Sequence, residues 1–125
     1  MTLDELLALV NGGETELLEW KRTTGERREG ASSLCAMLNH LGGRLVFGIA
    51  PDGRVIGQQV SDHTVEEPAQ EIARIDPPVF PTIDRLPLGH SGLQVLVVSA
   101  NAGPARPYTY KGQAYRRVGN TTVAL

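Results

Sequence analysis

The 125-residue sequence predicts an α+β fold: a single compact domain over residues 1–125, with a mixed β-sheet, a βαβ crossover and about three helices. Two observations carry this. Strand-like and helix-like runs alternate through the first 50 residues. Leu45-Val46-Phe47-Gly48-Ile49-Ala50 is apolar almost throughout, as in a central strand covered on both faces.

The elements follow in order. Thr2-Leu3-Asp4-Glu5 has the Thr-x-x-Glu form of a capping box, and Leu3, Leu6, Leu7 and Val10 continue at helical spacing. Asn11-Gly12-Gly13 stops that helix. A strand is expected over residues 16–22. A second capping box, Thr23-Thr24-Gly25-Glu26, opens a helix to about His40. Its apolar stripe is Ala31, Leu34, Cys35, Leu38 and Leu41, and Gly42-Gly43 ends it. Strand, helix, strand in that order implies a right-handed crossover.

Pro51-Asp52-Gly53 is a turn from which Val55-Ile56-Gly57 returns as a short hairpin strand. A third helix is expected from Thr64 to about Ile75, with Pro68 in its first turns and Asp76-Pro77-Pro78 forbidding continuation. Strands near 82–87 and 93–99 are joined at Gly89-His90-Ser91-Gly92, and Tyr108–Tyr110 pairs with Tyr115–Val118 across Lys111-Gly112. No internal repeat, linker or low-complexity tract interrupts the chain.

Composition narrows the function class. Hydrophobic content of 41% and charged content of 21% are those of an ordinary soluble protein. No apolar run approaches the ~18 residues of a membrane span, and no secretory leader pattern opens the chain, so no membrane partner is expected. The lone Cys35 excludes an intrachain disulfide, and a buried thiol in a reducing cytoplasm fits best. The net charge of −2 hides a segregation. Residues 1–19 hold five acids and no base, residues 20–54 six bases and three acids. Residues 55–100 hold six acids and two bases, residues 101–125 four bases and no acid. The two basic segments form one positive face if the fold unites them, and local field governs polyanion binding more than net charge does.

The densest chemistry lies in Gly13-Glu14-Thr15-Glu16-Leu17-Leu18-Glu19-Trp20-Lys21. In a strand, Leu18, Trp20 and Arg22 share one side, and Glu19 and Lys21 share the other, about 7 Å apart. Leu18 and Trp20 read as the buried side, which leaves a carboxylate and an ammonium on the exposed one. Glu14 and Glu19 differ in parity, so only a bend near Gly12-Gly13 brings them together. A solvated acidic edge is the plain alternative.

Several blocks, in order, resemble the Schlafen-type, Alba-like DNA-binding domain, formerly the divergent AAA family. They are Gly13-Glu14-Thr15-Glu16 with Leu18-Glu19-Trp20-Lys21, then Asn39-His40-Leu41-Gly42-Gly43 with Leu45 and Phe47-Gly48-Ile49, then Asp52-Gly53-Arg54-Val55-Ile56-Gly57. Pro77-Pro78, Pro107-Tyr108 and Tyr115-Arg116-Arg117-Val118-Gly119-Asn120-Thr121-Thr122 follow. The resemblance covers nearly the whole chain. It implies a nucleic-acid-binding module of the transcriptional-regulator type; taken with the rest of the sequence, the expectation is a bacterial, cytoplasmic domain without catalysis or cofactor of its own. The chain ends straight after the Gly-Asn-Thr-Thr block, so the winged-helix segment that often follows in members is not expected.

Some Schlafen proteins are RNases that use two glutamates and an aspartate. By that resemblance the glutamates fall on Glu14 and Glu19, and the chemistry of phosphodiester cleavage adds Lys21 beside them as a catalytic cation. The aspartate belongs just after the Gly-Val block, where this chain has Ala50-Pro51 before Asp52. On the nuclease reading, Glu14, Glu19 and Asp52 hold Mg²⁺ or Mn²⁺ and Lys21 stabilises the developing phosphorane. Alternatively, Lys21 neutralises Glu19.

On the binding reading, Lys21, Arg22, Arg44, Arg116 and Arg117 contact phosphates of DNA or RNA, while Tyr115, Tyr108 or Tyr110 stacks on bases. Arg117, at the Tyr-x-Arg position, is the foremost phosphate candidate, with an internal salt bridge to Glu19 or Glu14 as its alternative. The tyrosines equally suit half-buried packing. No phosphate loop or dinucleotide fingerprint is present, and His40, His63 and His90 lack metal-ligand spacing. A third reading is a homodimerisation module.

Overall fold

The computed structural model describes residues 1–125. Helix α1, Leu3–Asn11, begins at Thr2, whose hydroxyl accepts from Glu5 N at 3.2 Å, and it buries Leu6 and Val10. Strand β1 is Leu18–Lys21. A single 3-10 turn, Thr24–Glu26, leads into α2, Arg27–Leu38. Then come β2, Gly42–Phe47, and α3, Asp62–Ile72, capped reciprocally by Ser61 and Thr64. Strands β3, Ile75–Asp76, β4, Thr82–Pro87, β5, Gln94–Asn101, β6, Thr109–Tyr110, β7, Gln113–Val118, and β8, Thr121–Ala124, complete the chain.

The strands form two four-stranded sheets, ordered β1-β2-β5-β4 and β3-β6-β7-β8. The first is mixed: β1 and β2 run parallel through the α2 crossover, and the other pairs are antiparallel. The expected α+β class and βαβ unit are therefore present. Helix α2 lies between the sheets. Its Ala31, Leu34, Cys35, Met37 and Leu38 pack on Leu45, Phe47, Leu96 and Val98 on one side and on Ile75, Tyr108 and Tyr110 on the other. The opposite face of the first sheet buries Leu18, Trp20, Val46, Val95 and Val97 beneath Leu6 and Val10 of α1. Both faces of β2 are covered, which is why its sequence does not alternate.

Several elements differ from expectation. Gly42-Gly43 opens β2 instead of closing the helix. A Cβ at Gly42 would stand 2.5 Å from Ala100 O, and one at Gly43 2.8 Å from Leu17 O, so close strand approach requires both glycines. Helix α2 stops at Leu38 because the Asn39 side chain leaves the helix to bridge two carbonyls: Nδ2 donates to Tyr108 O and Tyr115 O at 2.9 and 2.8 Å, and Oδ1 accepts from Tyr108 N at 2.7 Å. Leu41 therefore falls off the apolar stripe and is 62% exposed. Val55-Ile56-Gly57 makes a single bridge, Ile49 to Val55, rather than a strand, because Ile56 N and Gly57 N both turn onto Gly48 O. Strand β8 was not foreseen. It pairs with β7 across the Gly119-Asn120 turn and completes the lid over β1.

Candidate functional site

The site is built on β1. Glu19 stands opposite Leu45 in the parallel register and so points to the α2 side of the sheet, where the second sheet covers it. There Arg117 of β7 meets it. The Arg117 guanidinium has no solvent exposure. Nη1 donates to Glu19 Oε2 at 3.1 Å and to Thr122 Oγ1 at 2.9 Å, and Nη2 donates to Thr15 O at 2.6 Å. Thr122 lies against Ser33 of α2, with 2.9 Å between the hydroxyl oxygens. Lys21 Nζ sits 3.4 Å from the other Glu19 oxygen. The carboxylate–ammonium face expected to be exposed is thus roofed over, and Glu19 is only 9% exposed.

Glu14 arrives from the other direction. Gly13, at φ 82°, reverses the chain after α1, as the expected bend requires. Glu14 Oε2 then accepts from Trp20 N at 2.9 Å, which sets it beside Glu19. Burial pushes the Glu14 carboxyl above the usual range and the Glu19 charge adds to the push, while the Trp20 N–H and Lys21 act against it. Glu14, Glu19, Trp20, Lys21, Arg22, Glu26, Ile49 and Pro51 line a cleft of about 200 Å³.

The model of the family described as Schlafen, AlbA_2 matches residues 14–125. The chain belongs to that family. The match begins at Glu14 and spans Glu19, Asn39, the Gly42-Gly43 pair and Arg117. No curated protein matches this Schlafen AlbA_2 chain. Among solved structures, it is similar to the N-terminal domain of a RecG-related protein from Nitrosomonas europaea, solved by solution NMR. That likeness has a TM-score of 0.72 and 23% identity, over 97% of this chain and 91% of the other. It is also similar to the DIP2311 protein of Corynebacterium diphtheriae, with a TM-score of 0.62 and 20% identity over 87% of this chain. The chain spans about a quarter, 25%, of DIP2311. At such identities these likenesses support the fold.

The third acid of the sequence-based metal set does not join the other two. Asp52 is exposed on its turn and is taken by Arg54, with Nε 2.7 Å from Oδ2 and the Arg54 backbone N 3.1 Å from Oδ1. Those Arg54 contacts hold its carboxyl below the usual range. No three acidic, histidine or cysteine side chains in the chain are grouped to hold a metal ion. Glu14 Oε2 is committed to Trp20, both Glu19 oxygens face cations, and Glu26 Oε2 accepts from Arg22 N at 2.9 Å. Mg²⁺ or Mn²⁺ needs several free oxygen donors around one point, and Glu14, Glu19 and Asp52 do not supply them.

The expected single cradle of arginines is not formed either. Arg117 is buried and bonded to Glu19, so its internal salt-bridge alternative is the one realised. Arg44 stands opposite Leu18, whereas Arg22 follows Lys21, which stands opposite Phe47. At about 3.3 Å per residue, the two lie about 13 Å apart along the strands. Arg44 lines a different cavity, with Leu17, Leu41, Thr82 and Ser99. Arg116 alternates with Arg117 on β7 and faces outward, exposed.

The tyrosines pack rather than present platforms. Tyr108 and Tyr110 are buried, and Tyr115 leans on the same core. Sequence reasoning also missed two polar features. One is the Asn39 clamp, whose signal was its place in the Asn-His-Leu-Gly-Gly block. The other is a buried pair in which Tyr110 Oη donates to Glu71 Oε2 at 2.5 Å. These residues are 39 apart in sequence, and no local pattern couples them.

Proposed function

We propose that this Schlafen AlbA_2 domain binds nucleic acid through the phosphate backbone and catalyses no reaction of its own. Family membership over residues 14–125 is the observation that carries the reading. The electrostatics support it. Arg22, Arg28, Arg44 and Arg116 are exposed, and none of the ion pairs in the molecule involves them. Unpaired guanidiniums are the groups that recognise phosphate oxygens. The non-catalytic half rests on the acidic strand, where Glu19 is compensated by Arg117 and Lys21 and Asp52 lies with Arg54.

Fluorescence anisotropy with labelled DNA and RNA, over a range of NaCl concentrations, tests the reading. Binding should weaken linearly in log–log form as salt rises, because phosphate contacts release counterions. Absence of salt-sensitive binding at low ionic strength would refute it.

A further inference from the structure

Glu71 is a buried acid remote from the β1 cleft, with a side chain 8% exposed at the end of α3. Its Oε2 accepts a hydrogen bond from the Tyr110 hydroxyl. Two cations nevertheless turn toward that same oxygen: Arg74 Nη1 at 3.7 Å and Lys111 Nζ at 3.9 Å. A third, Arg28 of α2, acts on both Glu71 and Tyr110 through its charge. Arg74 and Lys111, 37 residues apart in sequence, thus stand within 4 Å of one carboxylate oxygen, with the Arg28 charge acting on the same group.

The cations offset the burial of the Glu71 charge, and they outnumber it. Neither Arg74 nor Lys111 is within hydrogen-bond distance of it, and their side chains stay 61% and 43% exposed. Arg28 is exposed and unpaired, and the nearby Glu67 of α3 is taken by Arg27 at 3.3 Å. Three cations thus stand against the one Glu71 carboxylate, with the exposed Asp76 of β3 two residues beyond Arg74 as the other acid on this side. Lys111 also holds a conformation that side chains avoid. At φ 53° it is the only non-glycine residue in the left-handed region, in a turn tip that asparagine or glycine would fill with less strain. From there its ammonium lies 5.3 Å from the centroid of the Tyr110 ring.

We propose that Arg28, Arg74 and Lys111 form an oxyanion-binding patch that takes backbone phosphates of a nucleic acid, with Glu71 and Tyr110 as its positioning residues. The proposal rests on the nucleic-acid reading above and moves the contact surface away from the acidic strand, where the sequence places it. The outward donors can approach phosphate oxygens while Glu71 keeps the three positive groups from repelling one another.

The test uses the full chain and labelled single-stranded and duplex oligonucleotides. Lys111→Asn suits the left-handed turn, so it removes the charge while keeping or raising the melting temperature. It should lower the salt slope by about one unit. The triple variant Arg28→Gln/Arg74→Gln/Lys111→Gln should lose at least ~10-fold in affinity and about two to three units of slope. A control variant, Arg54→Gln, whose guanidinium is paired with Asp52, should keep the wild-type affinity and slope, and an equal loss there would overturn the patch. If the wild type binds and the triple variant, folded by circular dichroism, binds equally with an unchanged slope, the patch is wrong while the nucleic-acid reading stands. If the wild type binds no oligonucleotide, the nucleic-acid reading itself falls, and the patch with it. Inorganic phosphate, titrated while following the Arg74 and Lys111 side-chain resonances, separates the two sources of the anion. Saturation by phosphate alone with no oligonucleotide affinity would overturn the nucleic-acid source.

Discussion

Arg117 Nη1 reaches Glu19 Oε2 at 3.1 Å across 98 residues of chain, and the guanidinium is sealed from solvent. This contact ties β7 to β1 and decides how the acidic strand is read. A carboxylate and an arginine that each look functional in isolation neutralise one another inside the fold.

The first expected outcome concerns that pair. Arg117→Ala leaves Glu19 buried against Lys21 alone, and it strips the donors from Thr15 O and Thr122 Oγ1. Breaking a buried pair from one side costs about 3–5 kcal/mol. Chemical denaturation should show a loss of that size. A loss below about 1 kcal/mol would mean that the pair is not desolvated in solution.

Part of this arrangement is legible in the sequence, and the divide is physical. The Thr2 cap, the α2 crossover and the two-sided burial of β2 follow from local periodicity and capping. So does the meeting of Glu14 and Glu19, which needs only the Gly12-Gly13 bend. Strand parity assigns Glu19 a face but says nothing of what covers that face. The cover is β7 and β8, paired across a turn more than 95 residues later, so Glu19 reads as exposed when it is buried. The buried Glu71–Tyr110 contact and the Asn39 bridge to Tyr115 O escape for the same reason. Each is fixed by which strands become neighbours, and short-range patterns do not carry that information.

Glu14 gives a pH dependence whose sign follows from its environment. Its folded-state carboxyl titrates above the usual value, so the folded protein holds that proton more tightly than the unfolded chain does. Its contribution is therefore favourable at low pH. That contribution is lost as pH rises from the ordinary glutamate value through the raised one. Glu14→Gln keeps an acceptor for Trp20 N and removes the buried charge. At neutral pH this variant should melt no lower than the wild type, and its stability should fall less across that window. Melting temperatures at stepped pH check this, and a variant markedly less stable at pH 7 would contradict it.

Cys35 should be inert in the folded protein. Its Sγ is buried and donates to Tyr108 O at 3.4 Å, and burial pushes the thiol up to about 11. At pH 8 a disulfide reagent such as Ellman's should find no reactive thiol until denaturant is added, because the thiolate is the attacking species. Rapid labelling under native conditions would show that α2 opens readily.

RNA cleavage gives a further check. With Glu19 compensated by two cations and Asp52 held by Arg54, tRNA incubated with Mn²⁺ should stay intact with the wild type and with Glu19→Ala alike. Cleavage by the wild type that disappears in Glu19→Ala would restore the carboxylates to a catalytic role.

The most direct measurement concerns the division of labour among the arginines, in which Arg117 holds the fold and exposed side chains hold phosphate. Glu19→Leu/Arg117→Met replaces the buried ion pair with apolar groups, an exchange that folded proteins often tolerate. The salt slope of nucleic-acid binding counts the phosphate contacts that remain. The double variant is predicted to bind with the wild-type slope. A slope reduced by about one unit would show that Arg117 touches phosphate after all.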